Sequence, residues 1–151
     1  VSRGRRPSRI GATAGLVTLL VALAACALLP ACASLTSPQP ILLFIQGAAD
    51  CATSDDLEQA RISAGQGRIE IDGLLRVSTP CRHLIPTLKT TRSSIVLSID
   101  TLVQPGPCPL CFGKIEYRAV IAQLEPGSYN VRVRHADRTV ERAAVIVSPG
   151  T

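Results

Sequence analysis

The stretch that decides the fold covers residues 114–134, which read KIEYRAVIAQLEPGSYNVRVR. Apolar side chains occupy every second position on both sides of the Pro126-Gly127 pair. They are Ile115, Tyr117, Ala119 and Ile121 before the pair, and Tyr129, Val131 and Val133 after it. Residues at this spacing share one face of an extended chain. The stretch therefore predicts two strands with one buried face each, joined by a turn at residues 125–127.

The same alternation extends outward along the chain. One upstream strand is predicted to bury Ile69, Ile71, Leu75 and Val77, and a second to bury Ile95, Leu97, Ile99 and Thr101. A last strand is predicted at about Thr139 to Val147, and Gly73 predicts a bulge. Turn residues separate these segments, and no long segment after the N-terminal region has helical periodicity. We therefore expect an all-β, antiparallel β-sandwich of six or seven short strands.

Composition agrees with strands, because hydrophobic residues make up 46% of the 151-residue chain and aromatic residues only 3%. Its core must consist of Val, Ile, Leu and Ala, which suits strands better than helices. Residues 41–45 are a short apolar run that is either a first strand or a segment packed under the domain. Ser54-Asp55-Asp56 suggests the start of a short helical turn.

Two motifs carry a resemblance to known families. Residues 124–133, LEPGSYNVRV, resemble the Leu-x-Pro-Gly-x-Tyr-x-Val-x-Val corner of fibronectin type III-like and immunoglobulin-like modules. Val77-Ser78-Thr79-Pro80-Cys81 is similar to a turn in small secreted prokaryotic β-sandwich proteins. The resemblance implies an immunoglobulin-like sandwich in which Tyr129 buries its ring and its hydroxyl holds nearby backbone. It implies no activity.

The N-terminus has the three parts of an export signal: basic residues from Arg3 to Arg9, the apolar run Ile10–Ala25, and small residues beside a cysteine. Leu23-Ala24-Ala25-Cys26 resembles a bacterial lipobox, which implies a signal-peptide helix cleaved before a lipid-bearing Cys26. Cys32 is the alternative lipidation site. Cleavage after Ala33, giving a secreted product, and a retained membrane anchor also stay open.

These signals predict three segments: a lipoprotein signal peptide at 1–25, a tether with a short apolar segment at 26–50, and a β-sandwich at 51–151. The expected location is the cell envelope, where a lipid would anchor the chain to a membrane. Most of the formal charge of +5 arises in the leader, since its removal leaves 12 basic and 11 acidic residues, or +1. We therefore expect no nucleic-acid partner.

The cysteines beyond the leader are predicted to form disulfides, because exported chains mature under oxidising conditions. The candidates are Cys51, Cys81, Cys108 and Cys111, and we favour Cys81 with Cys108 or Cys111. A redox site at Cys108-Pro109-Leu110-Cys111 lacks the helix that would activate its thiol. A metal site is the other alternative, formed by the four cysteines or by Cys81, His83, Cys108 and Cys111. We expect no cofactor.

The remaining polar residues predict no catalytic set. His83 and His135 fall in predicted loops and are expected to be solvated, as are Arg132, Arg134 and Arg118 on one basic sheet face. That face has an anionic surface as its alternative partner. The leading hypothesis is a non-enzymatic envelope lipoprotein that serves as a binding or structural module. The alternatives are a cysteine-based metal or redox protein and a protease-inhibitor-like sandwich that presents Pro105 to Pro109.

Overall fold

A computed structural model describes residues 39–150, and these fold into two four-stranded sheets that enclose one hydrophobic core. The eight strands are β1 (Ile41–Cys51), β2 (Gln59–Gly65), β3 (Arg68–Val77), β4 (Arg82–Thr90), β5 (Ser94–Val103), β6 (Gly113–Ala122), β7 (Gly127–His135) and β8 (Arg138–Val147). The predicted signal helix at 1–25 and both lipidation candidates, Cys26 and Cys32, lie outside the described residues.

The first sheet has the order β1-β6-β3-β2 and the second the order β4-β5-β7-β8. All neighbours are antiparallel except β5 and β7, which pair in parallel. The prediction of a wholly antiparallel sandwich is therefore wrong at this pair. The parallel pair arises because β6, which lies between β5 and β7 in sequence, belongs to the first sheet.

Two strands were not predicted, so the expected count of six or seven is too low. The half-buried side of β2 consists of Ala60 and Ile62, too small and too few to give a clear alternation. In β4, Pro86 obscures the pattern, because proline lacks the N–H that a sheet needs. It is tolerated here since β4 is an edge strand of its sheet.

The predicted inward faces are confirmed. The largest fully buried side chains come from both sheets and are Ile69, Ile71, Leu84, Ile95, Leu97, Ile99, Ile115, Ile121, Val133 and Val147. Tyr129 is buried as well, and its hydroxyl donates to the carbonyl of Glu125 at 2.9 Å, as the corner motif implied. Of the predicted inward positions, Thr101 is only partly buried, because it lies near the end of β5.

The predicted bulge at Gly73 is absent, and β3 keeps a continuous register with both β2 and β6 through this residue. Gly73 faces inward opposite Tyr117, and a Cβ atom at position 73 would overlap the end of the Tyr117 ring. The glycine is therefore required for close approach of a side chain and not for a backbone irregularity.

The sandwich begins earlier than the boundary at residue 51 that the sequence suggested. β1 starts at Ile41 and pairs with β6 from Ile41↔Ala122 to Cys51↔Gly113, so residues 41–50 of the segment assigned at 26–50 belong to an edge strand. The expected helical turn near Ser54 is instead a tight turn. It is held by Asp56, which accepts hydrogen bonds from the Thr53 amide at 2.7 Å and hydroxyl at 2.8 Å.

The strand directions give the sandwich two distinct ends. The chain enters at Ile41 at one end, together with the β2–β3 turn and the β6–β7 turn. The opposite end holds residues 51–58, 78–82, 104–112 and 135–138, and we call it the disulfide end. β1 spans 11 residues, so the two ends are about 35 Å apart along this strand.

Candidate functional site

Two disulfides hold the loop at residues 104–112, which we call the clamped loop. Cys108 is bonded to Cys81, just before β4, and Cys111 is bonded to Cys51 at the end of β1. Of the two partners considered for Cys81, the structure has Cys108. Because β1 and β4 belong to different sheets, the loop is fastened to both layers of the sandwich.

Backbone contacts add to this restraint. The Ala52 amide donates to the Phe112 carbonyl at 2.7 Å, and the Gln104 amide donates to the Cys81 carbonyl at 3.0 Å. Within the loop, proline occupies positions 105, 107 and 109, and each proline fixes its own φ angle. The loop is therefore restrained at both ends, at two internal points and along its backbone.

The clamped loop carries apolar side chains into solvent. Leu110 is fully exposed and Phe112 is 68% exposed. Other exposed apolar residues at the same end are Leu57, Leu102 and Val103. Single exposed apolar side chains are common on protein surfaces, whereas a group of them at one end is typical of an interaction site. We call this group the apolar tip.

The metal and redox alternatives required free cysteine thiols, and all four cysteines concerned are bonded in the two disulfides. Cys108 and Cys111 are bonded to different partners and not to each other, so this segment holds no dithiol pair. His83 is an exposed residue of β4, contrary to its predicted loop position. Among residues 39–150, no cluster of His, Cys, Asp and Glu has the arrangement of a metal site.

A cavity of about 500 Å³ opens at the disulfide end. We call it the end pocket. Core residues at the ends of β3 and β5, including Leu75, Val77 and Ile99, line one part of it. Polar groups line the rest, namely Glu58, Arg76, Ser78, Arg82, Thr101, His135, Asp137 and Arg138. The pocket thus combines apolar surface with a few convergent polar groups, as ligand sites commonly do.

A chain of hydrogen bonds runs from the end pocket into the core. Glu58 Oε1 lies 2.6 Å from His135 Nδ1, and His135 Nε2 lies 2.8 Å from the Tyr117 hydroxyl. A neutral ring with its proton on Nδ1 satisfies both contacts: Nδ1–H donates to Glu58, and Nε2 accepts from Tyr117. Glu58 also pairs with Arg138.

Burial determines the protonation states of His135 and Tyr117 in this series of hydrogen bonds. It lowers the pKa of His135 from 6.5 to about 4, because the charged ring would lose its hydration, and so the ring is neutral at pH 7. Burial also raises the pKa of Tyr117, and the nearby charge of Asp72 acts in the same direction. The Tyr117 side chain is buried, so its hydroxyl is not an accessible nucleophile. The hydrogen bonds from Glu58 through His135 to Tyr117 instead fix the core end of the pocket.

The prediction that His135 is a solvated loop residue is wrong. His135 is the last residue of β7 and is only 3% exposed. It continues the inward series of Tyr129, Val131 and Val133, so extending the same alternation by one step would have found it. Its partner Glu58 lies in the segment before β2, and no sequence signal links the two.

Arg82 is the other charged group that reaches the pocket from inside the sandwich. One terminal nitrogen donates to the Thr101 hydroxyl at 3.0 Å and the other to the Ser78 hydroxyl at 2.9 Å. Its Nε atom is buried and has no hydrogen-bond partner. None of the ion pairs within residues 39–150 includes Arg82. Two neutral hydroxyl groups therefore orient a cation whose charge stays uncompensated.

The predicted basic face divides between the two sheets. Arg118 lies on β6 and pairs with Glu70 at 2.6 Å, so it does not join the arginines of β7. On the second sheet, Arg132 lies directly opposite Arg142 of β8. Arg134 pairs with Asp137, with Nη2 and Oδ1 3.7 Å apart. Arg118 and Arg132 are exposed, and Arg134 is partly buried.

Comparison with protein-family models, curated proteins and solved structures finds no match to this chain. Its function must therefore be argued from the disulfide end itself. Across residues 39–150 we also find no helix with the length and apolar character that a membrane span needs.

Proposed function

We propose that this protein is a non-enzymatic module of the bacterial cell envelope, in which the apolar tip binds a partner protein. The observation that carries the proposal is the clamped loop, which keeps Leu110 fully exposed while two disulfides fix the residues around it. A restrained apolar side chain loses little conformational entropy on binding, which favours affinity.

The disulfides support a location outside the cytoplasm. Disulfides persist in oxidising compartments and are rare where thiols are kept reduced. The export signal and the lipobox-like Leu23-Ala24-Ala25-Cys26 agree with this location. We propose that a lipid on Cys26, or alternatively on Cys32, anchors the chain, and that residues up to Pro40 form the tether.

The direction of β1 supports a protein partner over the anchoring membrane. The tether joins the sandwich at Ile41, and the apolar tip lies about 35 Å away along this strand. The tether is attached at the end of the sandwich opposite the tip, so it leaves the tip free to contact another protein. Leu110 and Phe112 would then meet a protein surface that has an apolar pocket.

The fold is consistent with a binding role. The buried Tyr129 with its hydroxyl on the Glu125 carbonyl matches the corner found in immunoglobulin-like and fibronectin type III-like modules. The parallel pair of β5 and β7 departs from the antiparallel order of those modules. We therefore propose that this sandwich resembles those modules in its tyrosine corner and in serving as a scaffold that displays loops. Its strand topology differs from theirs.

Lipidation is tested by labelling cells with radioactive palmitate and comparing the natural chain with Cys26→Ser, Cys32→Ser and the double variant. We expect the label to disappear in Cys26→Ser or in Cys32→Ser, according to which cysteine is modified. Undiminished label in the double variant would exclude both sites.

Partner binding is tested by placing a photo-crosslinking amino acid at position 110 in living cells. The matched control places it at Thr87, an exposed position on the outer side of β4. We expect a discrete adduct from position 110 alone, which weakens when Phe112 is changed to Ser. Equal adducts from both positions, or none from either, would contradict a partner at the apolar tip.

Protease inhibition is a second candidate, favoured by the same restrained and exposed loop. A rigid loop that presents Leu110 between two disulfide-bonded cysteines suits a protease pocket for medium apolar side chains. A panel of serine and cysteine proteases, assayed with the natural chain and with Leu110→Asp, tests this candidate. Inhibition that Leu110→Asp abolishes would identify the partner as a protease, and absence of inhibition across the panel would remove the candidate.

A further inference from the structure

We propose that the end pocket binds a small carboxylate that carries an apolar chain, with Arg82 as its charged contact. The site is separate from the apolar tip, because it lies between the sheets and its lining does not include residues 104–112. The inference therefore stands independently of the proposed partner protein.

The charges around the pocket point to an anion. Glu58 is already engaged by His135 and Arg138, and the Asp137 side chain is fully exposed beside Arg134. His135 is neutral at pH 7 because it is buried. Two lining cations take part in no ion pair among residues 39–150, namely Arg82 at the inner side of the pocket and the exposed Arg76. Their positive charge repels cations and attracts an anion.

The hydrogen-bonding capacity of Arg82 points to a carboxylate. A guanidinium has five N–H donors, and Arg82 uses two of them on Thr101 and Ser78. Each terminal nitrogen therefore keeps a second N–H, and arginine characteristically uses such a pair on both oxygens of a carboxylate. The hydroxyl groups fix the orientation of the guanidinium before a ligand arrives, which limits the entropy lost on binding.

The apolar part of the pocket indicates that the remainder of the ligand is a hydrocarbon chain. Leu75, Val77 and Ile99 reach the pocket from the core, so a short hydrocarbon chain would bury its surface there while its carboxylate meets Arg82. A volume of about 500 Å³ lies within the range for small-molecule sites. Free short-chain acids and the C-terminus of an apolar peptide share this chemistry.

The experiment titrates the full-length, ¹⁵N-labelled protein in a nonionic detergent and follows the Arg82 Nε–H and Thr101 amide signals. The probes are hexanoate, hexanamide with the same chain but no charge, and acetate with the same charge but no chain. We expect saturable shifts with hexanoate and a Kd at least about tenfold weaker for the other two. N-acetyl-leucine compared with its amide tests the peptide C-terminus as the source of the carboxylate.

Three variants make the test specific. Arg82→Gln should weaken hexanoate binding about tenfold, and Arg132→Gln, which removes a cation from the outer sheet face, should leave it unchanged. Ser78→Glu places a carboxylate beside Arg82 inside the protein, so it should abolish hexanoate binding while the fold keeps its thermal midpoint. This last variant decides the matter even where Arg82→Gln fails to fold.

Three results would overturn the proposal. Hexanamide that binds as tightly as hexanoate would remove the role of the charge. Hexanoate binding that survives Ser78→Glu would place the ligand away from Arg82. Equal weakening by Arg132→Gln would show general attraction to a basic protein.

Discussion

The contact between Gly73 and Tyr117 joins the two sheets at single-residue scale. Tyr117 extends over Gly73 within the first sheet, and its hydroxyl reaches His135 of the second. Any side chain at position 73 must displace the ring and with it the hydrogen bond to His135. We expect Gly73→Ala to lower the free energy of unfolding by about 2 kcal/mol, within the range for overpacked cores.

Denaturant unfolding measures this effect, and Gly65→Ala is its matched control. Gly65 is also a strand glycine, but the atoms nearest to an added Cβ there lie at 3.9 Å, on Arg68. The control should be nearly neutral. Equal losses in both variants would mean that strand glycines in general, and not the Tyr117 contact, determine the result.

His135 makes stability depend on pH. Its pKa is 6.5 when unfolded and about 4 in the folded protein, where burial disfavours the charged ring. As pH falls below 6.5, the unfolded chain binds the proton first, so folding loses stability. We expect a loss of about 1 kcal/mol per pH unit between pH 6.5 and 4.5, measured by urea unfolding.

That interval separates the effect of His135 from those of Asp56 and Glu70. Asp56 has a pKa lowered to about 2 by hydrogen bonds from Thr53 and Lys114, so its contribution is lost only below 3.8. The pKa of Glu70 is lowered below 4.5 by its hydrogen bond from Arg118. His135→Gln should therefore flatten the slope above pH 4.5. A slope that persists in this variant would assign the effect to another group.

The edge strands β1 and β4 are joined by one side chain. Gln46 accepts a hydrogen bond from the Leu84 amide at 2.7 Å and donates to the Arg82 carbonyl at 3.2 Å. The Gln46 side-chain amide therefore forms hydrogen bonds with backbone groups of β4 that would otherwise be unpaired at the sheet edge. We expect Gln46→Ala to cost about 1 to 2 kcal/mol, because the partly buried Leu84 amide loses its partner.

Hydrogen exchange shows where this loss occurs. In Gln46→Ala the Leu84 amide should exchange faster, while amides in β7 change only with global stability. Ile45→Thr is the control, since Ile45 lies next to Gln46 but points to solvent. Unchanged protection of Leu84 in Gln46→Ala would show that water replaces the glutamine without cost.

Strands with one clearly apolar face could be predicted from the sequence, whereas β2 and β4 could not. β3, β5, β6 and β7 bury Ile, Leu and Val at every second position, which is a local signal. The parallel pairing of β5 with β7 and the bridge from Gln46 to β4 depend on residues far apart in the chain. The end pocket was missed for the same reason, because Glu58, Arg82 and His135 come from three separate segments.

At the scale of the whole molecule, the disulfides stabilise a sandwich that has few aromatic residues in its core. Cys51–Cys111 spans 60 residues and Cys81–Cys108 spans 27. In the chain-entropy model, these bridges contribute roughly 4 and 3.5 kcal/mol by restricting the unfolded chain. Each is a large fraction of the 5 to 15 kcal/mol that separates folded from unfolded domains of ordinary size.

We expect the double variant Cys51→Ser/Cys111→Ser to lose slightly more stability than Cys81→Ser/Cys108→Ser. Guanidinium unfolding at constant pH measures both losses, and peptide mapping of the natural chain should show Cys51 linked to Cys111 and Cys81 to Cys108. A Cys108–Cys111 link would contradict the observed pairing and return the dithiol alternative to consideration.

The two double variants also separate stability from binding. Both sheets and their core lie outside the clamped loop, so each variant should still fold at 25 °C with the remaining bridge in place. The loop itself loses one of its two internal restraints, and Leu110 must then be ordered when the partner binds. Crosslinking from position 110 should therefore weaken more than the unfolding midpoint falls, and equal crosslinking in a folded variant would mean that the prolines alone hold the loop.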